Sequence, residues 1–369
     1  MPAIIKSGGG SQSTISGGNL TTASSVELVI RTDTSSDSLA ISANLTQGSG
    51  ALTKSGAGTL TLSGSNTYTG QTYVNGGTLS IGANVNLGDQ ATGAQLNLRG
   101  GTLQATSTFG LYNGSPGTNN RAVVLTDAAG FDVTGSNTLT VAGVVSGTGS
   151  LTKSSAGTLA LTNTNTYTGA TNVTAGKLLV SGSIGSSAVT VSNAGTVLAS
   201  GATGTIGSSV AINNGAILAP GDAGAAGTAT VTGATTFKDG SIFSWDINNT
   251  GTSYDKLVSA SLVDGDTAGG SVLRIVAADA TFGNAFWNTP RTWTDLFTTN
   301  GTTPIANWAN IFTSVTLVNS SFSPITPPKP GSFLVSGNTL TWTAVPEPTS
   351  ALAGILLGAG LLRRRRGVR

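Results

Sequence analysis

Aliphatic and polar residues alternate along most of this chain, in short stretches that end at Gly or Asn. In TLTL, at residues 59–62, two leucines fall on one side of an extended chain and two threonines on the other. Similar units recur as LNLRGGTLQA from Leu96, VTVSNAGTVLAS from Val189 and VAINNGAILAPG from Val210. No helical periodicity is visible before the C-terminus. The pattern predicts an all-β chain of many short strands.

An internal repeat organises these strands. Residues 51–82 (ALTKSGAGTLTLSGSNTYTGQTYVNGGTLSIG) and 150–181 (SLTKSSAGTLALTNTNTYTGATNVTAGKLLVS) agree at 18 of 32 positions without a gap. A strand of four residues buries little apolar surface alone, whereas stacked turns collect such strands into one continuous core. We therefore expect a parallel β-helix (β-solenoid) over residues 36–235. A β-sandwich or barrel built from hairpins is the alternative.

The composition changes near residue 236. All five tryptophans and eight of the ten phenylalanines lie beyond it. FKDGSIF, from Phe237, predicts a hairpin with Asp239-Gly240 as its turn. SVLRIVAAD, from Ser271, predicts a buried strand, residues 305–311 a short helix, and FLVS and NTLTWTA a last strand pair. We expect residues 236–344 to form an aromatic-rich β cap that closes the open end of the solenoid, and residues 1–35 to form an N-terminal segment or cap.

Composition excludes several chemistries. The chain has no His and no Cys, so it can form no disulfide, no zinc site of the usual kind and no Ser-His-Asp or Cys-His nucleophile. The net charge of +2 depends on five arginines within the last seven residues, and the remainder carries −3 (12 basic and 15 acidic residues). Because nucleic-acid binding requires a clustered basic face on the folded part, we expect no nucleic-acid partner. The residues indicate no cofactor.

The last 25 residues differ from the rest. Pro346, Glu347 and Pro348 end the β pattern, residues 349–362 are uncharged and apolar, and Arg363, Arg364, Arg365 and Arg366 follow. An apolar helix followed by arginines is typical of a membrane segment held on the cytoplasmic side, although 14 residues reach only about 21 Å as a helix. We therefore expect a terminal hydrophobic helix that anchors the chain in a membrane. An ordinary buried helix is the alternative.

Residues 345–369 resemble the PEP-CTERM sorting signal of exported bacterial proteins. The resemblance implies that Pro346, Glu347 and Pro348 are the recognition motif and that an exosortase-type membrane transpeptidase processes the tail. The positive-inside rule predicts that Arg363–Arg366 stop transfer. The repeats, quoted as GTLTLSGSNTYTG and GTLALTNTNTYTG, resemble the autotransporter-associated β-strand repeat of surface-exposed β-helical passengers. Export through the general pathway needs an N-terminal signal, and MPAIIKSGGG at residues 1–10 has no sufficient apolar run. Either a signal lies upstream or the inference of export fails.

Some β-helices degrade polysaccharides, so candidate catalytic groups need weighing. Glycoside hydrolysis requires two neighbouring carboxyl groups. Asp127 with Asp132, and Asp264 with Asp266 in a predicted hairpin loop, are the candidate pairs, and the second pair is also a weak candidate for calcium. We expect neither pair to be catalytic, because Asp is common in turns.

Two further residue pairs occupy matching repeat positions. We expect Lys54 and Lys153 to be exposed charges that protect sheet edges rather than catalytic bases. Tyr68 and Tyr167 are expected to pack at corners, with stacking on sugar rings as the alternative.

The sequence thus predicts an exported, non-enzymatic structural protein of the cell envelope or extracellular matrix. The second hypothesis is a carbohydrate-binding or adhesive surface protein with extracellular polysaccharide as a partner, and the third is a polysaccharide-degrading enzyme.

Overall fold

The fold is a parallel β-solenoid with almost no helix. The computed structural model describes residues 2–89, 94–117, 119–222, 226–248, 252–266, 270–277, 287–299, 301, 303–305, 308–319, 321–327 and 331–344. Two short 3-10 turns lie at Asn84–Leu87 and Trp308–Asn310. The second lies within the short helix expected at residues 305–311, of which 306 and 307 lie outside the described residues.

Most strands are two to five residues long, as the short alternating stretches predict. The strands up to residue 165 are β1 (Ala3–Lys6), β2 (Ser13–Ile15), β3 (Asn19–Leu20), β4 (Leu28–Thr32), β5 (Ser38–Ile41), β6 (Asn44–Leu45), β7 (Leu52–Ser55), β8 (Thr59–Leu62), β9 (Thr72–Val74), β10 (Thr78–Ile81), β11 (Leu96–Leu98), β12 (Thr102–Ala105), β13 (Phe109–Gly110), β14 (Val123–Leu125), β15 (Ala129–Val133), β16 (Thr138–Val141), β17 (Val145–Gly147), β18 (Leu151–Ser154), β19 (Thr158–Leu161) and β20 (Thr164–Asn165).

The later strands include longer ones. They are β21 (Thr171–Val173), β22 (Lys177–Val180), β23 (Ser183–Ile184), β24 (Val189–Val191), β25 (Val197–Ala199), β26 (Thr205–Ile206), β27 (Val210–Ile212), β28 (Ile217–Ala219), β29 (Thr228–Phe237), β30 (Ile242–Ile247), β31 (Lys256–Asp264), β32 (Ser271–Ala277), β33 (Arg291–Trp293), β34 (Phe297–Thr299), β35 (Thr303–Pro304), β36 (Phe312–Val318), β37 (Gly331–Ser336) and β38 (Thr339–Ala344).

Three ladders of parallel strands form three faces along the solenoid. Face 1 consists of β1, β4, β7, β9, β11, β14 and β17, and it continues into β20, β23 and β26 where the Thr166 N–H donates to the Val145 carbonyl at 2.8 Å. Face 2 runs from β2 through β5, β8, β10, β12, β15, β18, β21 and β24 to β27. Face 3 begins with β3 and β6 and contains β13, β16, β19, β22, β25, β28, β30, β32 and β36. The long strands β29 and β31 span faces 1 and 2.

The core lies inside the three faces. On face 2 the inward side chains of Ile41, Leu62, Ile81 and Ala105 lie directly above one another in register, and each is at most 1% exposed. This vertical stacking of aliphatic residues produces the dry column that a repeat of short strands requires. The solenoid prediction is confirmed, and the sandwich alternative is wrong.

The hairpin predicted at Asp239-Gly240 is not formed. β29 and β30, on either side of it, pair in parallel with other turns and not with each other. Gly240 has φ of +75° at a corner between face 2 and face 3, and the Asp264–Asp266 segment occupies the next such corner. A solenoid corner needs the same left-handed glycine as a tight hairpin, so the local sequence does not distinguish the two structures.

An antiparallel sheet of β33, β38 and β37 packs against the last turns. Its hairpin, β37 with β38, and the buried strand β32 confirm the strands predicted from FLVS, NTLTWTA and SVLRIVAAD. Trp287 and Trp342 meet edge to face at 4.8 Å between ring centroids, and Trp293 contacts Trp245 at 5.3 Å. These four rings are buried and belong to the same core cluster as the aliphatic residues, as expected for the aromatic-rich cap that the composition predicts.

Parallel pairing crosses both positions at which we expected a change of segment. β2 pairs with β5 across the first of these positions, and β28 pairs with β30 across the second. The predicted terminal helix and sorting tail, at residues 345–369, lie outside the described residues. In the part of the chain that the structure describes, no helix is both long and apolar enough to span a membrane.

Candidate functional site

The two repeat tyrosines are core residues. Tyr68 and Tyr167 are 0% exposed, and their hydroxyl oxygens lie 2.7 and 2.6 Å from the Oγ1 atoms of Thr72 and Thr171. Burial raises the pKa of each phenol to about 12. Corner packing is confirmed, and stacking of these two rings on a sugar is excluded because neither ring face reaches solvent.

The two repeat lysines are also buried, so the expectation of exposed charges was wrong. Nζ of Lys54 donates to the carbonyls of Ser55, Gly56 and Gly76 at 2.8 to 3.1 Å. Nζ of Lys153 donates to the carbonyls of Ser154, Ser155 and Ala175 at 2.7 to 3.1 Å. Burial lowers the pKa of each ammonium group to about 8. Each lysine ties two consecutive turns together at a corner, because its three N–H donors match three carbonyls that point inward there.

The first carboxylate pair is divided between different environments. Asp127 is exposed in the turn before β15, whereas Asp132 lies within β15 and accepts a hydrogen bond from Gln104 Nε2 at 2.8 Å. Gln104 in turn accepts from Ser80 Oγ at 2.8 Å, so Asp132 ends a polar ladder across three turns. The ladder gives Asp132 a structural role on face 2.

The second carboxylate pair organises a corner. Asp264 Oδ1 accepts from the Asp266 N–H at 3.2 Å, and Asp266 Oδ2 accepts from the Asp239 N–H at 2.9 Å in the preceding turn. Both residues are exposed. Within the described ranges, no group of three or more acidic residues could hold a metal ion, and we assign no calcium site. The residues of the predicted sorting motif, Pro346–Pro348 and Arg363–Arg366, lie outside the described part of the chain.

The structure reveals a groove on the outer surface of face 3. Its volume is about 390 Å³, and its lining runs along the solenoid axis from Ser136, in the corner before β16, to Arg274 on β32 and Phe322 after β36. The floor carries small and aliphatic side chains at consecutive rungs, namely Val197, Ala199, Ile217 and Ala219. Gly157, Gly176 and Gly195 line the groove at the corners, and Ala199 and Ala219 line it on the strands, so the surface is recessed there.

Charged side chains border this groove. On one side Nζ of Lys177 and Oδ1 of Asp222 form an ion pair at 2.6 Å. At the far end, the Arg274 guanidinium lies 4.3 Å from the centroid of the Phe322 ring and donates through Nε to Ser244 Oγ at 3.3 Å. Phe322 is 48% exposed, so one edge of the groove presents an accessible aromatic ring.

A buried carboxyl group supports this end of the groove from inside. Asp255 is 0% exposed and accepts the N–H groups of Gly227 and Asp246 at 2.7 and 2.9 Å. Burial, and after it the charge of Asp246, raises the pKa of Asp255 to about 9. Burial lowers the pKa of Arg274. The negative charge of Asp246, which also lines the groove, acts in the opposite direction. The groove thus combines an apolar floor with donors, acceptors and one aromatic ring, a combination typical of small-molecule sites.

Sequence reasoning missed this groove. Its residues come from successive turns and share no motif, and the feature that forms it is a run of small residues at outward positions of β25 and β28. In VLAS and ILAP the side chains on both sides of the strand are apolar. The alternation of residues therefore does not show which side faces the core and which faces outward. Only the register of the turns brings these positions together.

Comparisons with known proteins match the repeat region. Residues 52–81 and 151–180 match the family model described as passenger-associated-transport-repeat. The adhesin BmaC autotransporter of Brucella suis biovar 1 (strain 1330) is 36% identical over 147 residues, which is 40% of this chain. The matched stretch spans only 4% of that adhesin. Residues 52–81 and 151–180 are therefore similar to the passenger-associated-transport-repeat, in agreement with the resemblance of their sequences to the autotransporter-associated β-strand unit.

Proposed function

We propose that this chain is an exported, non-enzymatic structural or surface protein of the bacterial cell envelope or extracellular matrix. The observation that carries the proposal is the parallel solenoid built on two repeats of the autotransporter-associated type. The similarity to a protein described as an autotransporter adhesin supports a surface location. A rod of stacked turns separates its ends by about 4.8 Å per turn and suits display at a distance from the membrane.

The non-enzymatic part of the proposal rests on the positions of the candidate groups. Tyr68, Tyr167, Lys54 and Lys153 direct their polar atoms to hydrogen-bond partners inside the protein. Asp132 serves a ladder, and Asp264 and Asp266 serve a corner. A panel of polysaccharides incubated with the purified chain tests this view, and degradation that one Asp→Asn change abolishes would contradict it.

The C-terminal tail is the second part of the proposal. In this view residues 349–362 hold the chain in the membrane until an exosortase-type transpeptidase acts near Pro346, Glu347 and Pro348, and Arg363–Arg366 keep the end in the cytoplasm. The protein is then released to the cell surface or the matrix.

Mass spectrometry of the protein from its native cells tests the tail directly, since it reads both mature ends. We expect Glu347→Ala, or replacement of all four arginines at 363–366 by Gln, to leave unprocessed chain in the membrane fraction. Replacement of the same arginines by Lys is the matched control, because it keeps the charge that stops transfer. Unchanged mass and location in the Gln variant would disprove the sorting role.

The groove on face 3 favours a second candidate function, adhesion through binding of an extracellular polysaccharide. A neutral sugar offers apolar C–H faces for Phe322 and hydroxyl groups for Asp222 and Lys177. A glycan array followed by titration of the best ligand tests the idea. We expect Phe322→Ala and Asp222→Ala to weaken binding at least about tenfold.

A control variant comes from another face of the same solenoid. Tyr73 on face 1 also carries an arginine over its ring, with the Arg99 guanidinium 4.7 Å from the ring centroid. Tyr73→Ala should leave glycan binding unchanged. Absence of glycan binding, or equal losses in the Phe322 and Tyr73 variants, would refute a site in the groove while leaving the structural role intact.

A further inference from the structure

Four Asn-Gly pairs occur in the sequence, at residues 75–76, 113–114, 214–215 and 300–301. In such a pair the glycine nitrogen can attack the side-chain carbonyl carbon of the asparagine, because glycine has no Cβ to hinder the approach. Asn300 lies outside the described residues. Asn75, Asn113 and Asn214 are all exposed, so the contacts of each pair decide which asparagine can react.

Asn214 is restrained on both sides of the bond that would have to form. Its Nδ2 donates to the Asp239 carbonyl at 2.8 Å, and the Gly215 N–H donates to the Gly240 carbonyl at 2.9 Å. A Cβ built on Gly215 would lie 2.7 Å from the Cβ of Ala194, so the backbone there has little room to turn. The attacking nitrogen and the amide that it would attack are therefore both held in place.

Asn113 is restrained through its side-chain carbonyl. Its Oδ1 accepts a hydrogen bond from Asn84 Nδ2 at 2.9 Å, and its backbone N–H donates to the Asn119 carbonyl at 3.2 Å. For reaction, the side-chain amide must turn toward the nitrogen of Gly114. The contact with Asn84 opposes that rotation, so we expect Asn113 to react slowly.

Asn75 lies at the corner between β9 and β10 and has neither kind of restraint. Within the described ranges its side chain forms no hydrogen bond, and the Gly76 N–H has no acceptor. A Cβ built on Gly76 would have the Gly56 carbonyl oxygen as its nearest neighbour, at 3.5 Å, which is an ordinary contact distance. This corner therefore leaves the glycine nitrogen and the asparagine amide able to approach each other.

We propose that Asn75 is a site of spontaneous deamidation in the folded chain. The Gly76 nitrogen attacks Cγ of Asn75, so the N–Cγ bond forms. The Cγ–Nδ2 bond then breaks, and the leaving group takes up the Gly76 amide proton and departs as ammonia. Water opens the resulting succinimide ring. Opening at Cγ leaves aspartate, whereas opening at the backbone carbonyl carbon leaves isoaspartate, in which the chain runs through the former side chain.

The reaction changes a corner that joins two turns. The Gly76 carbonyl accepts a hydrogen bond from Nζ of Lys54 at 3.1 Å. Isoaspartate lengthens the chain by one atom directly before Gly76, so we expect this contact to weaken. The second repeat has Thr174 and Ala175 at the equivalent positions, and its lysine corner therefore lacks the reactive pair. Deamidation thus alters the corner of one repeat and spares the other.

Peptide mapping by mass spectrometry of the full chain, sampled during incubation at mildly alkaline pH, tests the proposal. Replacement of NH2 by OH raises the peptide mass, and electron-transfer fragmentation distinguishes isoaspartate from aspartate. We expect Asn75 to react at least about tenfold faster than Asn214, because two hydrogen bonds must break before Asn214 reacts. Asn113 should also react more slowly than Asn75. In the urea-denatured chain the three rates should become similar, because a glycine follows each asparagine.

Two variants separate the reaction from its consequence. Gly76→Ala should slow deamidation of Asn75 at least about tenfold, because a Cβ hinders the attacking nitrogen. Asn75→Thr is the matched control, since it removes the site and introduces the residue that the second repeat carries there. After incubation the urea denaturation midpoint of the unaltered chain should fall further than that of Asn75→Thr.

Three outcomes would overturn the proposal. The first is a rate at Asn113 or Asn214 in the folded chain that equals or exceeds the rate at Asn75. The second is a set of rate ratios that stays the same in the folded and the denatured chain. An equal fall of the midpoint in the unaltered chain and in Asn75→Thr would refute the effect on the Lys54 corner. None of these outcomes bears on export or on the groove.

Discussion

The two repeat copies have closely similar sequences but lie on different faces of the solenoid. In the first copy the LTKS strand β7 belongs to face 1 and the following strand β8 to face 2. In the second copy the LTKS strand β18 belongs to face 2 and the following strand β19 to face 3. The second copy is therefore rotated by one face about the solenoid axis.

Despite this rotation the copies make the same contacts. Asn66 Oδ1 accepts the Leu45 N–H at 2.8 Å, and Asn165 Oδ1 accepts the Val145 N–H at 2.9 Å. The lysine ammonium groups and tyrosine hydroxyls likewise find equivalent partners in both copies. The repeat thus specifies corners and the packing of adjacent turns, and it does not specify which face a strand occupies.

Truncation of the tyrosines should give the largest effect and test whether the copies are equivalent. We expect Tyr68→Ala and Tyr167→Ala each to lower the free energy of unfolding by about 3 to 5 kcal/mol, because each empties a fully enclosed corner. Urea denaturation followed by circular dichroism measures this. A small loss at one site only would show that the two corners differ in packing.

Replacement of the lysines should cost less. Lys54→Met and Lys153→Met each leave three carbonyls without their ammonium donor, with an expected loss of about 1 to 3 kcal/mol at pH 7. Lys→Arg at the same sites is a control for the loss of charge. Equal stability of the Met variants and the unaltered chain would contradict the structural role of the ammonium groups.

These lysines also predict a pH dependence. Their pKa in the folded chain is about 8, below the ordinary lysine value of 10.5, so the unfolded chain binds more protons between these two values. Stability should therefore rise with pH from about 8 to 10.5, and the Lys54→Met, Lys153→Met double variant should show a smaller rise. Urea denaturation midpoints between pH 8 and 10.5 measure this rise in stability. The same dependence on pH in the double variant and the unaltered chain would refute the lowered lysine pKa.

Removal of one hydroxyl group distinguishes the copies. The Thr171 hydroxyl contacts Ser187 Oγ at 2.8 Å as well as the Tyr167 hydroxyl, whereas the Thr72 hydroxyl contacts the Tyr68 hydroxyl. Tyr68→Phe should thus cost about 1 to 2 kcal/mol, and Tyr167→Phe about half as much. Urea denaturation of the two variants measures both losses. A larger loss for Tyr167→Phe than for Tyr68→Phe would be inconsistent with these hydrogen bonds.

The smallest effect concerns one backbone difference. Gly56 of the first copy has φ of +75°, and the equivalent Ser155 has φ of +59°. Because a left-handed conformation is costly for a residue with a side chain, Ser155→Gly should stabilise the chain by at most about 1 kcal/mol. Gly56→Ser is the converse control and should destabilise it, since a Cβ there would collide with the Thr32 carbonyl oxygen. Destabilisation by Ser155→Gly would contradict the explanation.

The solenoid could be predicted because its stabilising pattern is local. Strands with alternating residues, such as TLTL and TLAL, are followed by corners with glycine or asparagine. These units repeat at intervals that only stacked turns accommodate. The corner at Asp239-Gly240 was predicted wrongly because pairing partners are set by distant turns, which no tight-turn motif specifies.

The chemistry of the surface was less predictable. Lys54 and Lys153 were expected to be exposed because lysine rarely lies buried, and only the backbone geometry of the corner reveals the carbonyls that accept hydrogen bonds from the ammonium group. The groove depends on Ala199 and Ala219 facing outward in adjacent turns, and register alone determines this. Side-chain type predicts burial well for Tyr68 and poorly for a lysine with three acceptors.

The placement of the indole rings has a practical consequence for unfolding experiments. All five tryptophans lie beyond residue 236, in the cap and the turns next to it, so intrinsic fluorescence reports on one terminus only. Circular dichroism averages over every rung. If the solenoid unfolds first at the turns around Ala3, the ellipticity will change at a lower denaturant concentration than the tryptophan fluorescence. The separation between the two unfolding curves will then measure how far cooperativity extends along the turns.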